Sequence, residues 1–495
     1  MNRERLVFCV LCLLTTVITV SCSGAKKVVF KTPVDTSSKP IRNQIKKTYS
    51  LNNLGVYASN EFDAARLNDF KKLNDTTATV FISPENGPIN NSPYYAFKTW
   101  SENPKTFYFK FHYPKGYKHR YIAKIKRNDN WQIIDSTRVF LDDSLVTIKL
   151  DLDKNPIIVA AQEIESSTNV KQWYTNLANE NSQYVTLKTI GKSTLGRELP
   201  VLDIHNGITK NKDVIVLITR QHPPEVTGYF AFQEFLKTIL SDSNLSTSFL
   251  NKYHILAFPI MNPDGVDLGH WRHNAGGIDT NRDWSKYNQP EIKQVVNLIT
   301  KTLKKNKSKL ILGLDFHSTW YDVFYTNKKR EGTTLPNFVD DWFIALENTI
   351  PDYKVNEAAG NSTKPVSKGW FLYGHNAVGI TYEIGDTTPK KEIKQIGGPD
   401  ISRLISKDNV DNVVDDRKEI VHGFGLVLSL EILNKPMEFY QPPLEDPFSI
   451  IQEFPINADT REFQLDLIKR NDLEDYYYSL SDSAWERLRR GDILQ

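Results

Sequence analysis

The chain has 495 residues and a formal charge of +3. That balance is too even for its size to favour a polyanionic partner, and no basic run is interleaved with stacking aromatics, so nucleic-acid binding is not expected. Hydrophobic residues at 40% and charged residues at 24% describe an ordinary globular chain, with room for roughly two to four domains.

Residues 1–22 stand apart from the fold. Arg3 and Arg5 precede an apolar stretch over 6–20 that is too short to span a membrane comfortably and ends in "ITVSC". The segment resembles a bacterial lipoprotein signal. It predicts lipidation of Cys22 and an exported protein anchored to a bacterial membrane by lipid alone, periplasmic or on the cell surface. All three cysteines, Cys9, Cys12 and Cys22, lie in or at the end of this signal. The mature chain therefore has no thiol for a crosslink or a nucleophile. Residues 23–50 are polar and rich in Ser, Thr and Lys, and read as a flexible tether.

From 51 to 163 the pattern has period two. "TFYFKFHY", "RYIAKIKR" and "SLVTIKLDL" alternate apolar and polar residues, with "NDN" as a turn before Trp131. Several such strands without a helical pattern imply an antiparallel β-sandwich. From 164 to 433 apolar strands alternate with amphipathic helices. Strands are expected over 214–219, 253–260, 309–316 and 377–383, and helices over 228–240 and 291–304, with a long helix closing the unit at 417–433. That is α/β, a mixed sheet with helices on both faces. The extension 434–495 is rich in aromatic and acidic residues and has no evident pattern.

The chemistry is concentrated in four stretches. The run "VIVLITRQHPPEVTG" ends a buried strand on His222 and Glu225, and strand tips are where open α/β sheets build sites. Two histidines and a carboxylate are a zinc ligand set, but His-x-x-Glu alone is common by chance. The strand "KLILGLDFHST" supplies the third candidate, His317, at the same sheet edge. Of the ten histidines, these two are expected where apolar strands run into loops. His112, His119, His254 and His422 are expected to be structural or solvated.

Between the ligands lies "PIMNPDGVDLGHWRHNAGGIDTNRDW". Here the chain resembles the zinc carboxypeptidases of the family that includes carboxypeptidase A. It looks more like their cytosolic, deglutamylating branch and its bacterial relatives, which also carry an N-terminal β-sandwich and an Asn-Pro-Asp-Gly turn. The resemblance covers residues 51–433 and implies a carboxypeptidase-like mixed sheet holding one zinc ion on His222, Glu225 and His317. It implies that Asn281 and Arg282 hold the terminal carboxylate of the substrate, a role suited to a planar guanidinium fork. Asp279 would orient the first histidine, and Arg272 would polarise the scissile carbonyl and steady the oxyanion. Asp264 and Gly265 are turn-formers. In "AVGITYEIGD" the resemblance implies that Glu383 is the general base, with Asp386 placed beyond the strand tip by two further residues.

Two departures bear on mechanism. The loop "NEAAGNSTKPVSKGWFLYGHNAVG" has no tyrosine in its upstream half, and Tyr373 sits too near the strand to replace the family's mobile phenol. Aligning Trp370 and Glu383 with the family puts Lys368 near the floor of the specificity pocket, with Lys364 as a rival. A cation there would favour an acidic C-terminal residue. The expected function is a zinc metallocarboxypeptidase acting on peptide or protein C-termini. The competing expectations are a zinc amidase for cell-wall peptides or acylated amino acids, and a catalytically silent lipoprotein that binds peptide or glycan.

Overall fold

A computed structural model of the chain describes residues 27–142, 145–349 and 353–397. The signal with Cys22, the helix expected over 417–433, His422 and the extension 434–495 lie outside the described residues. No helix among those described is long and apolar enough to cross a membrane.

The N-terminal strands are β1 (Thr48–Leu51), β2 (Val56–Ser59), β3 (Asp69–Lys72), β4 (Thr77–Phe81), β5 (Ala96–Ser101), β6 (Lys105–His112), β7 (Lys124–Arg127), β8 (Asn130–Ile133), β9 (Val139–Asp142), β10 (Leu145–Leu152) and β11 (Ile157–Ala160). They form two sheets, ordered β1-β2-β5-β11-β7-β8 and β3-β4-β6-β10-β9. Period-two burial drives the assembly: Phe107, Phe109 and Phe111 of β6 are all fully buried in the sandwich core. Asn128 and Asp129 link β7 to β8 with positive φ of 46° and 65°, the backbone a two-residue hairpin needs. One pairing departs from the antiparallel expectation, because β4 and β6 run parallel. Between them the chain crosses to the other sheet as β5 and returns in its original direction.

The second unit carries β12 (Val185–Lys192), β13 (Glu198–Ile204), β14 (Asp213–Thr219), β15 (Tyr253–Phe258), β16 (Leu310–Thr319), β17 (Val323–Thr326), β18 (Glu357–Ala359) and β19 (Val378–Gly385). They form one sheet ordered β12-β13-β15-β14-β16-β19-β17-β18. Its centre, β15-β14-β16-β19, is parallel. Alternation along β14 explains the helices on both faces. Ile215 and Leu217 pack with Phe232, Phe235 and Leu236 of the helix Val226–Ile239. Val214, Val216 and Ile218 face the opposite way and pack with Ile292, Val295 and Ile299 of the helix Pro290–Asn306. Each such side chain contributes roughly 1.5–3 kcal/mol by leaving water. The parallel strands aim their C-terminal ends at one edge, where the site is built.

The flexible tether expected over 23–50 is not what the described part of that segment forms. Val28 and Phe30 are buried against Trp284, Trp370 and Phe371. Thr32 N–H donates to the Thr363 carbonyl, and Lys39 N–H to that of Gly276. Thr36 bonds Asp283, and the Thr36 carbonyl accepts from Gln289. Polar composition misled because this strap folds on carbonyls and side chains far away in sequence, with no periodicity of its own.

Candidate metal centre

The stretch His-Pro-Pro-Glu is the hinge between β14 and the helix that follows it. Arg220 takes a left-handed backbone with φ of 56°, which turns the chain off the strand. The two prolines, which offer no N–H, separate the strand from the helix, and Glu225 stands immediately before Val226–Ile239. His222 and Glu225 therefore meet across one turn, with Nδ1 of the histidine 2.8 Å from Oε1 of the glutamate. From β16, His317 presents Nδ1 at 2.6 Å from Glu225 Oε2 and 3.1 Å from His222 Nδ1. All three are buried. Close approach of helix to strand makes this possible: a Cβ on Gly228 would lie 2.2 Å from the His317 carbonyl oxygen.

The outer ring nitrogens are held by carboxylates. Nε2 of His222 lies 3.0 Å from Asp279 Oδ1, the pairing that the resemblance implied. Nε2 of His317 lies 2.8 Å from Asp315 Oδ2, a partner the sequence reading missed. The signal was there, since residues i and i+2 of a strand share a face. Asp315 also accepts from Gln221 and Ser367. These bonds turn both Nδ1 atoms inward.

A divalent ion fits this set. Separations of 2.6 to 3.1 Å between the facing donor atoms come close to the edges of a ligand polyhedron with bonds of about 2.0–2.2 Å. Two imidazole nitrogens opposed at 3.1 Å with a carboxylate form a mixed N/O donor set suited to zinc. A second trio, Asp203, His205 and His254, differs, because Lys188 already pairs with Asp203 and His254 donates to the same carboxylate.

Glu383 sits beside the centre. Its Cα is the direct register partner of His317 across β16 and β19. Its Oε2 is buried and makes no hydrogen bond. Burial, reinforced by the charge of Glu225, outweighs His317, Arg120 and Arg272 and pushes its pKa up to about 8. A carboxyl in this position can take up a proton and give it back. Asp386, the other carboxylate of the strand end, is committed elsewhere: Arg120 of the sandwich donates to it twice, at 2.8 and 2.9 Å, and Gln162 once.

Arg272 donates from Nε to Asp279 Oδ2 at 2.7 Å. Burial alone would raise the Asp279 carboxyl, but Arg272, His222 and Arg282 hold it well below the usual range. Asn281 accepts at Oδ1 from the Ser367 N–H, 2.9 Å away, at the start of the helix Ser367–His375. Arg282 Nη1 donates to the Asn281 carbonyl and lies 3.7 Å from Asp279. The predicted metal ligands, base, orienting carboxylate and clamp residues thus converge on one sheet edge.

Lys368 is neither solvated nor on a loop. It is buried in the first turn of that helix, and its ammonium donates to the Thr326 and Gly360 carbonyls, both at 2.8 Å. Burial, opposed by Glu357, lowers its pKa to about 8. Tyr373 donates its hydroxyl to the Ser362 carbonyl and packs its ring on Phe30, so its phenol is tied to the strap side of the helix.

Residues 170–398 match the zinc carboxypeptidase family. That stretch, a little under half of the chain, resembles this family of zinc-dependent hydrolases, whose members bind one zinc ion. Among individual proteins, human cytosolic carboxypeptidase 2 is 29% identical over 34% of this chain, and the match spans 20% of that protein's length. A putative carboxypeptidase A from Shewanella denitrificans shares the fold with a TM-score of 0.60 and 20% identity, over 76% of this chain and 98% of that one. A metallo-carboxypeptidase from Pseudomonas aeruginosa does so with a TM-score of 0.55 and 16% identity, over 76% and 98% of the two chains.

Proposed function

We propose that the protein is a zinc metallocarboxypeptidase that hydrolyses the last peptide bond of peptides or proteins and releases the C-terminal residue. The observation carrying this reading is the convergence of His222, Glu225 and His317, held by Asp279 and Asp315, next to a Glu383 carboxyl whose Oε2 is buried and unbonded. When bound, zinc supplies Lewis acidity and acidifies a water molecule. The chain's own residues do the rest. Asn281 and Arg282 anchor the free carboxylate. Glu383 Oε2 takes a proton from water as its oxygen joins the carbonyl carbon. It then delivers that proton to the amine as the C–N bond breaks. Arg272, held through Nε, faces the developing oxyanion.

The test is a panel of peptides varied at the C-terminal residue, with and without chelator, read by mass spectrometry. Release of single C-terminal residues should stop with chelator and with C-terminal amidation. Glu383→Gln should keep zinc and lose about 10²–10⁴-fold in kcat. Equal cleavage of amidated peptides would remove the exopeptidase assignment. Turnover of cell-wall stem peptides alone would favour an amidase.

We further propose a preference for acidic C-terminal residues carried by Lys368. In its favour, Lys368 adjoins Ser367, which bonds the clamp residue Asn281. Against it, two of its three N–H groups already serve carbonyls. Lys368→Met should reduce the preference for glutamate over leucine at least tenfold, and an unchanged ratio would dismiss it. We also propose export and lipid anchoring at Cys22, on the basic start, the apolar stretch and "ITVSC". Cys22→Ser should leave the membrane fraction, and continued retention there would refute the anchor.

A further inference from the structure

We infer that the sandwich domain is a working part of the active site, and that its Glu85 is the positioning residue for Arg272. This inference rests on the hydrolase reading and names what holds that reading's oxyanion group in place. Glu85 follows β4 in the sandwich and is fully buried. Three consecutive backbone N–H groups of the catalytic domain converge on its carboxylate. Trp271 N–H donates to Oε2 at 2.8 Å, and Arg272 and His273 N–H donate to Oε1 at 3.0 and 2.7 Å. Successive amides wrapped around one anion fix the backbone of all three residues.

The neighbours tighten the same grip. Trp271 is fully buried in the sandwich core, with its ring edge-on to Tyr117 at 5.2 Å and Tyr113 at 6.5 Å. Asn86 Oδ1 meets His273 Nδ1 at 2.6 Å, and Asn86 Nδ2 donates to the Gly277 carbonyl at 3.0 Å. Gly269 and Gly277 flank the segment with positive φ of 62° and 73°. A Cβ at either would lie 2.3 or 2.4 Å from the carbonyl oxygens of Ala65 or Lys39. While the backbone is clasped on one side, the Arg272 side chain runs the other way to Asp279, and Asp279 reaches His222. The sandwich is thus linked to a metal ligand through one carboxylate, three amides, one guanidinium and a second carboxylate.

The Arg66 guanidinium lies near enough to offset the charge of Glu85, and the imidazoles of His270 and His273 flank it. A purely structural carboxylate could occupy any interdomain contact. This one binds the amide of the residue whose guanidinium faces the reaction, which predicts a kinetic signature.

The test is Glu85→Gln in the full chain, which keeps the side chain's shape but turns an NH2 toward at least one of the three amides. The expected result is a fall in kcat of about 100-fold with KM within threefold, because Arg272 acts on the transition state. In an Arg272→Ala background the same change should cost less than threefold more, since a residue acting through Arg272 has nothing left to position. A readout that needs no catalysis is hydrogen exchange: amides 271–273 should exchange at least 100-fold faster while those of β16 stay unchanged. Asn86→Ala is the milder variant if Glu85→Gln does not fold, and should lower kcat about tenfold. A fully additive cycle, unchanged exchange at 271–273, or unaltered kcat in Asn86→Ala would each overturn the inference. Wild-type protein inactive on every peptide, but with those amides protected by Glu85, would instead count against the hydrolase reading alone.

Discussion

Replacing Gly228 by alanine would test whether the metal centre depends on contact between one helix and one strand. Gly228 lies in the first turn of the helix Val226–Ile239, three residues after Glu225. A Cβ there would lie 2.2, 2.6 and 2.9 Å from the oxygen, carbon and nitrogen of His317. Ordinary van der Waals contact begins near 3.4 Å, so helix and strand must separate by roughly 1 Å. No flexible side chain can give way, because all three atoms are backbone. Overpacking of this kind costs about 1–3 kcal/mol in stability. The larger effect falls on the ion. Glu225 rides on the helix and His317 on the strand, with facing atoms 2.6 Å apart, while ligand distances tolerate only about 0.2 Å of error. Zinc affinity should fall at least 100-fold, or about 2.8 kcal/mol at 1.4 kcal/mol per factor of ten. Competition with a chromophoric chelator measures this, with circular dichroism confirming the fold. Unchanged zinc affinity in a folded Gly228→Ala protein would refute the reasoning.

Three further outcomes are expected. Asp315→Asn should weaken zinc binding about 10–100-fold, since His317 Nε2 loses its carboxylate; competition titration reads it, and wild-type affinity would rule out the orienting role. Phe30→Ala should lower stability by about 3 kcal/mol in denaturant unfolding, because the ring is buried against Gly369 and Tyr373; no loss would return the strap to a tether. Glu291 is buried and its pKa is raised to about 7, chiefly by burial. The folded state holds its proton more tightly than the unfolded state does, so the stabilisation is complete below about pH 4.5 and is lost as pH rises to 7. Glu291→Gln should therefore gain on wild type between pH 5 and pH 8, by on the order of 2 kcal/mol, and parallel stability curves would contradict this.

Much of the centre could be read from the chain because its signals are local. His222, His317 and Glu383 each close an apolar strand, and a parallel sheet sends those ends to one edge whatever the details of packing. Asp279 and the clamp residues came from one ordered stretch of motif. Asp315 was legible in principle, two residues before His317 on the same strand face, but a buried carboxylate inside an apolar run draws attention only when its partner is visible. The parallel pairing of β4 with β6 was not legible, because period-two burial fixes which face of a strand is buried and leaves its direction open.

By itself, then, the sequence determined the alternation of strands and helices, the strand tips and the donor types, since these follow from periodicities of two and 3.6 residues and from side-chain chemistry. Tertiary structure alone decided what grips them. Glu85 reaches amides 186 to 188 residues away, Arg120 reaches Asp386 across 266, and Lys368 turns its ammonium to two carbonyls. Such contacts obey no repeat. They exist because a carboxylate, a guanidinium or an ammonium taken out of water must find partners wherever the packed chain supplies them.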